Sequence, residues 1–141
     1  MILYLDTSAL VKLYVDEEGS PQARAAVEAA DAVATSRVAF AEAHAAFAAA
    51  ARLGHITAAE RAAIAALFRM DWRAYVVVGV TQPLVELAAE LAFDYGLRGF
   101  DAIRLASAVL LRQRAGQSVR FMAWDRPLAD AAARCGFSVH A

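Results

Sequence analysis

Five short apolar runs, each strand-sized and separated from the next by enough chain for at least one helix, constrain this sequence more than any other feature. They are residues 2–5, 32–35, 75–78, 121–124 and 137–139, with Tyr75-Val76-Val77-Val78 the clearest β-branched run. Helix signals fill the gaps. Asp6-Thr7-Ser8 stops the first run with three N-capping residue types, so a short helix is predicted over 8–15. Ser20 with Pro21 opens a second over 20–30, and Ser36 caps a long alanine-rich helix over 36–53 that Gly54 stops. Thr57 and Glu60 form a capping box for 57–70, and Gln82-Pro83 opens 82–95. Asp101 begins 101–111, and Pro127 begins 127–135, ended by Gly136.

Strands that are apolar on both faces and alternate with helices belong to a parallel sheet covered on both sides. The expected fold is therefore α/β, one domain with a mostly parallel central sheet of four to five strands and helices on both faces. At 141 residues the chain can bury enough surface in one conventional core without staples. Cys135 is the sole cysteine, which rules out an internal disulfide and a thiolate zinc cluster. A reducing, cytoplasmic location is expected. The first strand starts at Ile2 with no basic leader, and the longest apolar stretch, 38–51, is interrupted by Glu42 and His44, so neither export signal nor membrane span is expected.

A net charge of −1 does not by itself suggest a nucleic-acid partner, although thirteen of the fourteen basic residues are arginine, the better phosphate fork. The acidic residues say more. Asp6 and Asp125 each follow a predicted strand, where ligands of such sheets bind; the simpler role for each is to cap the next helix. Glu42 lies in a helix apolar nearly all round, where an unpaired carboxylate would cost several kcal/mol. It must reach solvent at the helix edge, pair with Arg37 or Arg104, or serve a site. Asp101 opens another largely apolar helix and can cap it while facing a cleft. Carboxylates gathered at one spot repel, and a hard, oxygen-preferring divalent cation such as Mg²⁺ or Mn²⁺ relieves this. Such an ion can activate water for hydrolysis of a phosphate ester.

Four segments carry a family resemblance: Leu3-Tyr4-Leu5-Asp6-Thr7-Ser8-Ala9-Leu10-Val11-Lys12, then 36–43 around Glu42, 97–108 around Asp101 and 121–128 around Asp125. In this order they resemble the motifs of PIN-domain proteins, in particular VapC toxins of type II toxin–antitoxin pairs, over nearly the whole chain. The resemblance implies a PIN-like fold in which Asp6, Glu42 and Asp101 are metal-binding acids and Asp125 the more variable fourth. Thr7 or Ser8 would support the first acid. It implies an endoribonuclease using Mg²⁺ or Mn²⁺, homodimeric, acting on RNA and silenced by a VapB-like antitoxin peptide lying across the active site. Arg104 departs from the histidine common among relatives; it can hold a scissile phosphate or salt-bridge Glu42 in the metal-free state.

Rival readings fit less well. Phosphatases that attack through an aspartate after the first strand need a second aspartate two residues on, and that position is Ser8. A receiver domain wants an acidic pair there and a late lysine, but Lys12 is the only lysine. A non-catalytic PIN-fold module that grips RNA or protein has no need of all four acids. His44, His55 and His140 lack metal-ligand spacing, Phe40 and Phe47 share a helical face suited to packing, and Cys135 is expected to be an inert buried thiol. Crowded acids should weaken the metal-free fold, so Asp101→Asn is expected to raise its melting temperature.

Overall fold

Alternate residues of the first strand point into different cores, and this organises the molecule. The computed structural model describes residues 1–140. In β1 (Ile2–Leu5), Leu3 and Leu5 enter one buried cluster and Ile2 and Tyr4 another. A strand with both faces buried must lie inside a sheet covered on both sides. The other strands are β2 (Ala32–Ser36), β3 (Val76–Val78), β4 (Val119–Met122) and β5 (Ser138–His140). All pairings are parallel, in the order β3-β2-β1-β4-β5. This is the α/β architecture expected, with five strands.

Four helices, α1 (Thr7–Val11), α2 (Ser20–Glu28), α3 (Ala39–Arg52) and α4 (Ala58–Trp72), pack around Leu3, Leu5 and Met122. The opposite face, around Tyr4 and Phe121, is covered by α5 (Gln82–Tyr95), α6 (Gly99–Ala115) and α7 (Arg126–Arg134). Thr57 and Glu60 form the predicted capping box. Phe47 is buried and packs with Phe40, His44 and Tyr14 around Phe68, so these aromatic rings are core. Cys135 is half-buried at the end of α7 and not fully enclosed as expected. Among the described residues no helix is long and apolar enough to cross a membrane. The side chain of His140 lies outside what the structure describes.

Several boundaries differ from the sequence reading; α1 ends at Val11, short of the expected residue 15, and α6 runs on to Ala115, past the expected residue 111. Ser36 belongs to β2, paired with Val78, and α3 starts at Ala39. α6 starts at Gly99, which puts Asp101 inside its first turn and not at the cap. β4 occupies 119–122, two residues early, because Val119 and Arg120 pair with Ile2 and Leu3. Asp125 therefore lies three residues past the strand.

The link after β4 is held tightly. Gly19, at φ +93°, lies against Trp124, and a Cβ there would fall 2.6 Å from Trp124 Cζ2. Gly19→Ala is expected to destabilise the protein by about 2 kcal/mol, combining left-handed strain with displacement of a packed ring. Thermal unfolding checks this, and an unchanged melting temperature contradicts it.

Candidate metal centre

The chain moves from β1 to β2 to β3 in one direction, then returns to place β4 on the other side of β1. Where the direction of winding switches, the loops at the strands' carboxyl ends diverge and leave a crevice. Asp6 follows β1 directly and accepts backbone N–H of Ala9 at 3.2 Å, so it caps α1. Its Oδ1 also accepts the Ser8 hydroxyl at 2.6 Å, and Ser8 Oγ in turn accepts the Trp124 N–H at 3.0 Å. The carboxylate is only 4% exposed. Among the described residues no hydrogen bond engages its Oδ2. Capping and facing the crevice coexist in one side chain.

Glu42 and Asp101 occupy the first turns of α3 and α6, where the positive end of the helix dipole favours negative charge. Arg104, one turn beyond Asp101, joins them. Its Nη1 donates to Asp101 Oδ1 at 2.6 Å and its Nη2 to Glu42 Oε2. Thr7 donates its hydroxyl to the other Glu42 oxygen at 2.7 Å. Ser8 thus serves Asp6 while Thr7 serves Glu42. Of the alternatives open for Glu42, the ion pair with Arg104 forms, and the side chain also keeps partial contact with solvent. Asp125 caps α7 by backbone conformation alone, its carboxylate making no capping hydrogen bond. Its charge adds to the field at Asp6.

Arg98 was not singled out by the sequence. Its Nε lies 3.6 Å from Asp101 Oδ2, an i,i+3 pair at the start of α6. Its spacing from Asp101 is the only signal that could have found it. Glu42, Arg98, Gly99, Phe100, Asp101 and Arg104 line a cleft of about 370 Å³.

Burial pushes Asp6 up to about 6, a rise that the Ser8 and Ala9 hydrogen bonds and nearby Arg104 only partly offset. A carboxyl whose folded pKa exceeds its unfolded value keeps its proton longer in the folded state, so stability falls as pH rises from about 4 to about 6. The fall attributable to Asp6 is on the order of 3 kcal/mol. Denaturant unfolding with chelator should therefore show Asp6→Asn more stable than the parent at pH 7.5 and nearly equal at pH 4. A gap of the same size at both pH values contradicts this.

The donor set is carboxylate and hydroxyl oxygen, the chemistry of Mg²⁺ or Mn²⁺ and not of zinc. One buried polar atom at this place, Arg104 Nε, lacks a hydrogen-bond partner among the described residues. A bare guanidinium N–H marks unused donor capacity, as expected where water or a phosphate oxygen is accommodated. As arranged, no three acidic, histidine or cysteine side chains among the described residues stand close enough to share an ion, and Arg104 lies between two of the acids. The residues fit a hard cation by type, and admitting one requires Arg104 to move.

The PIN domain family model matches residues 3–116, with Asp6, Glu42 and Asp101 inside the match. The chain belongs to the PIN domain family. Ribonuclease VapC45 of Mycobacterium tuberculosis strain CDC 1551 is 37% identical over 138 residues, covering 98% of this chain and 94% of the relative. Ribonuclease VapC49 of strain H37Rv has the same identity and coverage. Two solved structures share the PIN fold seen here. A toxin–antitoxin complex from Klebsiella pneumoniae superposes with a TM-score of 0.65 at 20% identity, covering 99% of this chain and 96% of that one. Mycobacterium tuberculosis VapC20, a sarcin–ricin loop-cleaving toxin, gives 0.64 at 21%, covering 99% of each.

Proposed function

We propose that this PIN-domain protein is a Mg²⁺-dependent endoribonuclease, the toxin of a VapBC-type pair, with Mn²⁺ a possible substitute. The observation that carries the reading is that Thr7, next to Asp6 at the end of β1, donates to Glu42 of α3, while Arg104 joins Glu42 to Asp101 of α6. The near-full-length similarity to two ribonucleases supports it. RNA is the substrate, a VapB-like antitoxin the inhibitor, and a homodimer the working form.

Asp6, Asp101 and Glu42 would hold the cation, directly or through water, with Asp125 helping position it. When bound, the cation neutralises charge developing on the phosphodiester and lowers the pKa of water. Ser8 fixes the rotamer of Asp6, and Thr7 that of Glu42, so neither acid has to be ordered at the moment of reaction. Once released from the acids, Arg104 can fork onto a phosphate oxygen pair.

One observation favours a non-catalytic PIN-fold module: Arg104 already neutralises two of the acids. Incubating the protein with structured RNA separates the readings. Cleavage with Mg²⁺ that EDTA abolishes and fresh Mg²⁺ restores supports the nuclease. Binding without cleavage under every divalent cation supports the module.

A further inference from the structure

Phe100 stands one residue before Asp101 and is 62% exposed, although it lies in a helix that is otherwise well packed. It belongs to neither buried cluster. Phe93 is also exposed, but it does not line the cleft beside Glu42 and Asp101; Phe100 does. On one side Gly99 leaves open space, since a Cβ there would meet nothing within 4 Å. Arg98, with its side chain 88% exposed, reaches over the same lip to within 3.6 Å of Asp101 Oδ2.

We infer that Phe100 and Arg98 form a nucleotide-binding lip, on which Phe100 stacks a base next to the scissile phosphate and Arg98 holds the adjoining backbone. This rests on the ribonuclease reading and deepens it by assigning the residues that would hold a strand unpaired at the cut site. The chemistry of the lip points that way. A bare aromatic face beside an exposed guanidinium is how single strands are gripped without reading sequence, because every base has a π-face. In a paired helix the bases are stacked inward and cannot reach Phe100. The cleft volume of about 370 Å³ falls in the range that accommodates small organic groups. Phe40 and Phe47, the aromatic pair visible in the sequence, cannot do this, because they pack in the core around Phe68.

The test uses the full chain with Ca²⁺ in place of Mg²⁺ and two fluorescein-labelled strands, checked afterwards as uncut: a short oligoriboadenylate and an abasic ribose-phosphate strand of equal length. Fluorescence anisotropy should show Phe100→Ala weakening oligoriboadenylate binding by about tenfold while leaving the abasic strand unaffected. Phe100→Tyr should restore the parent affinity, and size-exclusion chromatography should show no change in oligomeric state. Equal binding of parent and Phe100→Ala to oligoriboadenylate overturns the stacking role alone. Equal weakening on both strands, or a loss of binding that tracks a change in oligomeric state, overturns it too, the latter by making Phe100 a contact between copies. A parent that binds neither strand removes this inference together with the ribonuclease reading.

Discussion

Replacing Asp6 with asparagine should lower kcat/KM for metal-dependent RNA cleavage by a factor on the order of 1,000, equivalent to the several kcal/mol a lost cation contributes to a phosphoryl transition state. The variant isolates charge from shape. Asparagine keeps an oxygen where Oδ1 accepts from Ser8 and Ala9, so the cap of α1 and the start of the crevice survive. What disappears is a negative charge that the protein holds at 4% exposure. Burying that charge opposes folding, so the inactive variant should also melt higher than the parent in EDTA. Loss of activity with gain of metal-free stability is the pattern of a functional acid; loss of both would make Asp6 mainly a structural cap. Cleavage kinetics and thermal unfolding of the same preparation read out the two effects. Activity within tenfold of the parent contradicts the assignment.

Arg104→Met should destabilise the chelated protein by about 2–3 kcal/mol, because it leaves Glu42 and the buried Asp101 without the cation that pairs them. Both members of the Asp101 pair are largely shielded from solvent, and Glu42 is only partly so, which places the figure below that of a fully enclosed triad. The deficit should shrink with Mg²⁺ present. With the guanidinium gone, the ion meets no competitor, so Mg²⁺ should raise the melting temperature of Arg104→Met more than that of the parent. A deficit of equal size with and without Mg²⁺ would make Arg104 a purely structural bridge. The same geometry moves the expected benefit of neutralisation. Asp101 stands in an ion pair and not in bare repulsion, so Asp6→Asn, and not Asp101→Asn, is the change that should stabilise the metal-free protein.

The sequence makes the architecture legible because its strongest signals are local. Asp6-Thr7-Ser8 ends a strand and caps a helix within three residues, and Thr57 with Glu60 closes a box within four. Where long-range pairing decides, local signals misplace the edge. Arg120 is no strand marker, yet its register opposite Leu3 draws it into β4. Trp124 reads as the end of that strand, yet its N–H is taken by Ser8, 116 residues away. Asp101 is a good capping residue type and reads as the start of α6, yet Arg98 is the cap residue and offers no capping hydrogen bond. The acids themselves were visible from strand ends and apolar helices. The contact that joins two of them, Arg104 with Glu42, spans 62 residues and was only one of several alternatives until the fold was in view. Arg98 and Phe100 went unnoticed because their meaning lies in exposure, which a sequence does not display.

The proposed function requires acids from three separate elements to serve one cation. Titrating Mn²⁺ into the chelator-stripped protein and following the free-ion electron paramagnetic resonance signal tests it most directly, since the readout is independent of any RNA. Asp6→Asn, Glu42→Gln and Asp101→Asn should each weaken binding by about tenfold or more, and any two together should cost less than the sum of the separate losses, as expected for residues sharing one ligand. Mn²⁺ bound by all three variants as tightly as by the parent, or losses that add independently, would contradict it.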